Sequence, residues 1–93
     1  MLFACVAMQA QTIVFQENFD TYTAGDKIAV VNTNFTTWSA APGGSEDGTI
    51  STEQAASPSN SLKIIKDNDV VFPIANFTSG EYVLEFDLYI PST

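Results

Sequence analysis

The sequence predicts an all-β fold of the sandwich or barrel type, and three observations carry that prediction. Residues 81–90 alternate strictly, with Tyr82, Leu84, Phe86, Leu88 and Ile90 set against Glu81, Val83, Glu85, Asp87 and Tyr89. Two is the side-chain repeat of a strand, so one row is expected to enter a core while the other meets solvent. Turn residues punctuate the chain at Ala24-Gly25-Asp26, Ala41-Pro42-Gly43-Gly44-Ser45, Ser57-Pro58-Ser59-Asn60 and Thr78-Ser79-Gly80. Loops at such short intervals leave room for strands but not for long helices. Finally, no segment repeats apolar residues at helical spacing.

The chain opens with residues 1–10, apolar and free of charge, which run into an acidic, β-patterned segment. A short apolar run ending at a small residue has the form of a secretory signal, with Ala10 the last residue before cleavage. No Lys or Arg precedes Leu2, and Met8 stands where a small residue is usual, so the segment reads as a truncated signal peptide. A buried first strand is the rival reading. The one cysteine, Cys5, falls in this leader, which leaves residues 11–93 without a disulfide. Leu2-Phe3-Ala4-Cys5 has the outline of a lipidation motif, but the apolar run continues through Val6-Ala7-Met8 instead of turning polar.

Residues 12–15 are expected to form the first strand of the domain, because Ile13, Val14 and Phe15 favour a pleated surface. Residues 28–31 suit either a strand or one helical turn, and residues 54–56 are too few to decide. Residues 62–66 and 69–74 are predicted as a hairpin closed at Asp67-Asn68, two residue types that tolerate the positive φ of a tight turn. Pro73 marks an edge or a strand end. The sequence then stops at Pro91-Ser92-Thr93 with no partner strand after residues 81–90. Residues 11–93 are therefore expected to be the N-terminal part of a larger sandwich. Expressed alone, such a fragment is expected to aggregate or oligomerise through its uncovered strand.

Charge narrows the partners. Three lysines face eleven acidic residues, for a net charge of −8, so binding to a phosphate backbone would have almost no cationic groups to work with. Nucleic acid is excluded on that ground. No stretch approaches the ~20 apolar residues of a membrane-spanning helix, so membrane insertion of residues 11–93 is not expected. Neutral glycans, extracellular proteins and Ca²⁺ are the partners the field admits; solubility alone also accounts for the acidic balance.

The chain resembles the N-terminal part of concanavalin A-like (lectin-like) jelly-roll domains of exported bacterial proteins, which often carry a sorting domain for type IX secretion. The resemblance rests on residues 15–22, on Gly25-Asp26-Lys27-Ile28-Ala29, on Thr36-Thr37-Trp38-Ser39 and on Pro42-Gly43-Gly44-Ser45-Glu46-Asp47. It continues through Ser51-Thr52, Ala55 and Asn60-Ser61-Leu62-Lys63-Ile64 to Gly80-Glu81-Tyr82, Phe86 and Tyr89-Ile90-Pro91. It implies an antiparallel jelly-roll β-sandwich that is secreted or displayed at the cell surface. Binding modules, adhesins and glycosidases share that fold, so the fold does not choose among them.

Several chemistries are absent. The sequence holds no His, which removes Ser-His-Asp triads, Cys-His pairs and His-bearing metal sites. It holds no Arg and no P-loop, which removes the usual machinery of phosphoryl transfer. Some glycosidases of this fold carry Glu-x-Asp-x-x-Glu or Glu-x-Asp-x-Glu on one strand. Glu85-Phe86-Asp87 begins that pattern, but Tyr89 and Ile90 stand where the last Glu belongs. No catalytic residue is assigned. The alternative function is a piece of a polysaccharide hydrolase whose catalytic residues lie beyond Thr93, or a structural spacer.

Two binding chemistries remain. Calcium takes six to eight oxygen ligands, and Glu17, Asp20, Asp26, Glu46 and Asp47 are the candidates, set in loops rich in amides and carbonyls. Glu17 and Asp20 also suit ordinary loop hydrogen bonding. Sugar recognition stacks an exposed ring on a pyranose face beside polar groups. Trp38, Tyr89 and Tyr22 supply rings, while Glu85 and Asp87 share a strand face with Tyr89. The predicted site is Trp38, Tyr89, Glu85 and Asp87, in a non-catalytic module that binds a glycan or an extracellular protein.

Overall fold

The computed structural model describes residues 12–74 and 77–92. The leader expected at residues 1–10, with Cys5, lies outside the described residues. Five elements follow one another: α1 (Ile28–Val31), β1 (Thr36–Thr37), β2 (Thr49–Ser51), β3 (Ser61–Lys63) and β4 (Val70–Val71). β2 pairs with β3 and β1 with β4, both antiparallel, giving two two-stranded sheets. Among the described residues the chain is of β type with one helical turn.

Residues 25–28 run along the outer edge of β2 and extend that sheet. The Gly25 N–H donates to the Ile50 carbonyl at 2.8 Å, the Ile50 N–H to Asp26 at 2.8 Å, and the Ile28 N–H to Gly48 at 3.0 Å. Lys27 bridges to Thr49 in the same sense, and its Nζ donates to Thr49 Oγ1 at 2.7 Å. Those bonds bring Ile28 and Ile50 together as the two most deeply buried apolar side chains, 0% and 1% exposed, with Ala29 beside them. Gly48 lets the layers close. A Cβ there would stand 2.8 Å from Leu62 Cδ1 and 3.0 Å from Ile64 Cδ1.

Polar groups hold as much of the interior as apolar ones. Asp47 is fully buried, and its two oxygens accept from the backbone of two different segments: Oδ1 from Ala29 N at 3.1 Å, Oδ2 from Gly43 N at 2.8 Å. It thereby satisfies an N–H in the first turn of α1, where Lys27 at the N-cap position makes no side-chain bond. Residues 28–31 are helical for that reason: their orphan N–H finds its acceptor eighteen residues away. Gly43 sits at φ +84°, a conformation that costs an L residue and that aims its N–H at Asp47. Among the described residues, no buried side-chain nitrogen or oxygen lacks a partner.

A second apolar cluster gathers phenylalanines far apart in sequence. The Phe15 and Phe72 rings lie 4.5 Å apart, Phe35 and Phe72 5.2 Å, and Phe19 reaches Phe35 at 6.5 Å. These offset and tilted contacts tie the entering chain to the β1–β4 sheet.

Three sequence expectations are corrected. The turn at residues 67–68 forms, with Asp67 at φ +72° and Asn68 Oδ1 accepting from Ile65 N at 2.9 Å. However, the strands on either side do not pair with each other: β3 joins β2, and β4 crosses to β1. The backbone of Asp69 explains the divergence, because its N–H donates to Glu46 at 2.7 Å and its carbonyl accepts from Trp38 N at 3.0 Å. Residues 12–15 form no strand, and Phe15 contributes its ring instead. Residues 81–90 have no ladder partner among the described residues, and both of their rows are exposed.

Candidate functional site

The five expected calcium ligands are engaged with protein donors. Glu17 Oε1 accepts from Phe19 N at 2.7 Å, and its Oε2 from the Tyr22 hydroxyl at 2.8 Å and Asn32 Nδ2 at 3.1 Å. Asp26 Oδ2 closes a turn on Thr23 N at 3.0 Å, and Glu46 takes both the N–H and the hydroxyl of Ser39 at 3.1 Å. Asp20 Oδ1 accepts from Asn60 N at 2.9 Å, while Asn60 Nδ2 returns bonds to the carbonyls of Phe19 and Tyr22 at 3.0 and 2.7 Å. Asp47 is the clamp described above. Among the described residues no three carboxylates, or other metal-ligating side chains, form a group able to hold an ion.

These bonds leave their mark on two titrations. Burial, then the bond to Glu17, raises the Tyr22 hydroxyl above its ordinary value. The Asn60 N–H, helped by Ser57 and Ser59, lowers the Asp20 carboxyl. A depressed folded pKa contributes stability above the unfolded value, about 3.9 for Asp, and that contribution is lost as pH falls through the folded value. Asp20→Asn is thus expected to flatten the acid side of the stability curve. Thermal melts of both proteins from about pH 5 to pH 2 check this, the parent falling more steeply below about pH 4.

A larger concavity lies elsewhere among the described residues, between β3, the loop after β2, and residues 87–91. It encloses about 720 Å³, within the roughly 300–1,000 Å³ range of ligand clefts. Leu62, Ile64 and Leu88 give it apolar walls. Ser51, Glu53, Gln54, Lys63, Asp87 and Tyr89 supply its polar groups and its ring. Lys63 Nζ donates to Glu53 Oε2, which also accepts from the Ser51 hydroxyl at 3.1 Å. The bond from Lys63, then that from Ser51, lowers the Glu53 carboxyl. A smaller hollow of about 210 Å³ is lined by Phe15, Phe72 and Phe77 and is too small to compete.

Two of the four residues expected to bind ligand, Asp87 and Tyr89, therefore meet in one groove. Tyr89 is 62% exposed, so its ring is open to a partner. Glu85 belongs to the same alternate row of residues 81–90 but does not line the groove. Trp38 is 76% exposed and belongs to the other sheet, beside β1, where its backbone N–H meets Asp69. Glu53, Gln54 and Lys63 were not anticipated. They reach the groove through the β2–β3 pairing and the loop that joins those strands, and no local pattern in the sequence marks that approach.

The groove combines hydroxyl, amide, ammonium and carboxylate groups with one exposed ring. Comparison with protein-family models, curated proteins and solved structures finds no match for this chain.

Proposed function

We propose that this chain is a non-catalytic binding module of a secreted or surface-displayed protein, part of a jelly-roll sandwich, and that it recognises a neutral glycan. The observation that carries the reading is the groove itself: Tyr89, an open ring, stands with Asp87 opposite Glu53, Gln54 and Lys63. The ring offers a face to the apolar side of a pyranose, and the polar groups offer acceptors and donors to its hydroxyls. Two carboxylates against one ammonium in the groove, within a chain of net charge −8, disfavour uronic acids and sulfated sugars. Retention on insoluble neutral polysaccharides, with release by the soluble oligosaccharide of the same linkage, tests it. Lack of retention on every neutral polymer tried would favour the spacer reading.

A structural Ca²⁺ is part of this proposal only if the loops rearrange, because an ion would have to displace the N–H and O–H donors now held by Glu17, Asp20, Asp26, Glu46 and Asp47. A calcium-steadied domain would lose several degrees of melting temperature in a chelator and recover them with excess Ca²⁺. Equal melting temperatures in both conditions would remove calcium from the account.

A further inference from the structure

Asp47-Gly48 is the one place in this sequence where Asp or Asn is followed by Gly. Such a pair is prone to rearrange in water, because the Gly nitrogen, with no Cβ beside it, meets the Asp side-chain carbonyl carbon unhindered. Here the fold fixes both members. Asp47 is 0% exposed and holds the N–H groups of Ala29 and Gly43. At Gly48 a Cβ would stand 2.8 Å from Leu62 Cδ1, 3.0 Å from Ile64 Cδ1 and 3.2 Å from Val70 Cγ2, so a larger residue overpacks the place where the two sheets meet. Exchanging either residue for a less reactive one therefore costs the fold hydrogen bonds or packing.

The same contacts hold the pair apart from reaction. Rearrangement requires the Asp47 side chain to swing onto the Gly48 nitrogen and one carboxyl oxygen to leave. In the folded chain Oδ1 is held by Ala29 N at 3.1 Å and Oδ2 by Gly43 N at 2.8 Å, anchors 18 and 4 residues away in sequence. Gly48 is held as well, buried and with its carbonyl accepting from Ile28 N at 3.0 Å. Ring closure has to break this clamp first, which confines the reaction to molecules that have opened here.

We infer that Asp47-Gly48 is a latent isomerisation site, shielded in the folded chain, converted to isoaspartate when the chain opens, and a bar to refolding once converted. The Gly48 nitrogen bonds to Asp47 Cγ, and the departing hydroxyl takes that nitrogen's proton and leaves as water, giving a succinimide. Water then opens the ring at either carbonyl. Opening at Cγ restores Asp. Opening at the main-chain carbonyl carbon leaves the chain running through Cγ, with one extra backbone carbon and no change of mass or oxidation state. The remaining carboxylate then sits directly on Cα and no longer reaches both Ala29 N and Gly43 N, and the lengthened backbone moves Gly48 out of its close fit against Leu62 and Ile64. This inference does not rest on glycan binding, since neither Asp47 nor Gly48 lines the groove.

The test incubates the full chain at neutral pH across a series of guanidinium chloride concentrations. Isoaspartate at residue 47 is measured by enzymatic methylation and peptide mapping, and far-ultraviolet circular dichroism records the fraction unfolded in the same samples. The rate is expected to follow that fraction, about tenfold or more slower below the unfolding transition than above it. One rate throughout the series would overturn the shielding. Gly48→Ala is compared in full denaturant, where its ability to fold is immaterial, and is expected to form isoaspartate at residue 47 several times more slowly. An equal rate there would overturn the assignment to this pair. Isoaspartyl and unconverted molecules from the denatured sample are then separated and returned to buffer. The unconverted chain is expected to regain protection of the Ala29 amide against hydrogen exchange, and the isoaspartyl chain to leave it open. Equal protection in the two populations, high or low, would overturn the bar to refolding.

Discussion

Replacing Asp47 with Ala is expected to remove about 1–3 kcal/mol of stability, a large share of what holds so small a chain folded. The side chain is fully buried, and its two oxygens accept the backbone N–H groups of Ala29 and Gly43. Truncation leaves the buried N–H of Ala29 without an acceptor, which costs about 1–3 kcal/mol, whereas the N–H of exposed Gly43 can turn to water. The apolar interior is too small to absorb that loss: Ile28, Ala29 and Ile50 are its buried members. Asp47→Asn keeps one oxygen but turns an amide N–H₂ toward one of the two donors, so an intermediate loss is expected. Urea unfolding followed by far-ultraviolet circular dichroism measures the difference. Amide exchange separates the causes, since Ala29 and Gly43 should lose protection first.

Tyr89→Ala is expected to weaken glycan binding about tenfold, equivalent to roughly 1.4 kcal/mol, with little change in melting temperature. The ring is largely exposed and makes no ladder contact, so its removal leaves the fold intact while taking the stacking face from the groove. Trp38→Ala should leave binding to the groove unchanged, because Trp38 belongs to the other sheet and is not among the groove residues. Titration calorimetry with a neutral hexose oligosaccharide distinguishes the two variants. Loss of binding in the Trp38 variant but not in the Tyr89 variant would move the site to the β1–β4 sheet.

What could be read from the sequence was whatever a few neighbouring residues decide. The turn at Asp67-Asn68 is closed by Asn68 on Ile65, three positions away, and the strict alternation of residues 81–90 needs no partner to be recognised. Pairing was not legible. Ile65 and Asp69 flank that turn as a hairpin would, yet the backbone of Asp69 is taken by Glu46 and Trp38, and neither competitor lies within twenty residues of it. The helical turn at residues 28–31 was undecided for the same reason, its N–H being satisfied by Asp47 from beyond two loops. At the site, Asp87 and Tyr89 were found because they share a strand row. Glu53 and Lys63 were missed because their ion pair closes a ten-residue excursion between β2 and β3, which alternation and composition do not encode. The acidic loop residues were read as metal ligands, and in the folded loops each of them accepts from protein donors; residue type alone cannot tell those two uses of a carboxylate apart.

The central claim is that the groove between β3 and residues 87–91 is where a neutral glycan binds. Titrating ¹⁵N-labelled chain with a neutral oligosaccharide and following its amide resonances tests this residue by residue. Saturable shifts at Ser51, Glu53, Gln54, Lys63, Asp87 and Tyr89, with Trp38 and Asp69 unmoved, are the predicted result. Shifts centred on Trp38, or none with any neutral oligosaccharide at millimolar concentration, would contradict it.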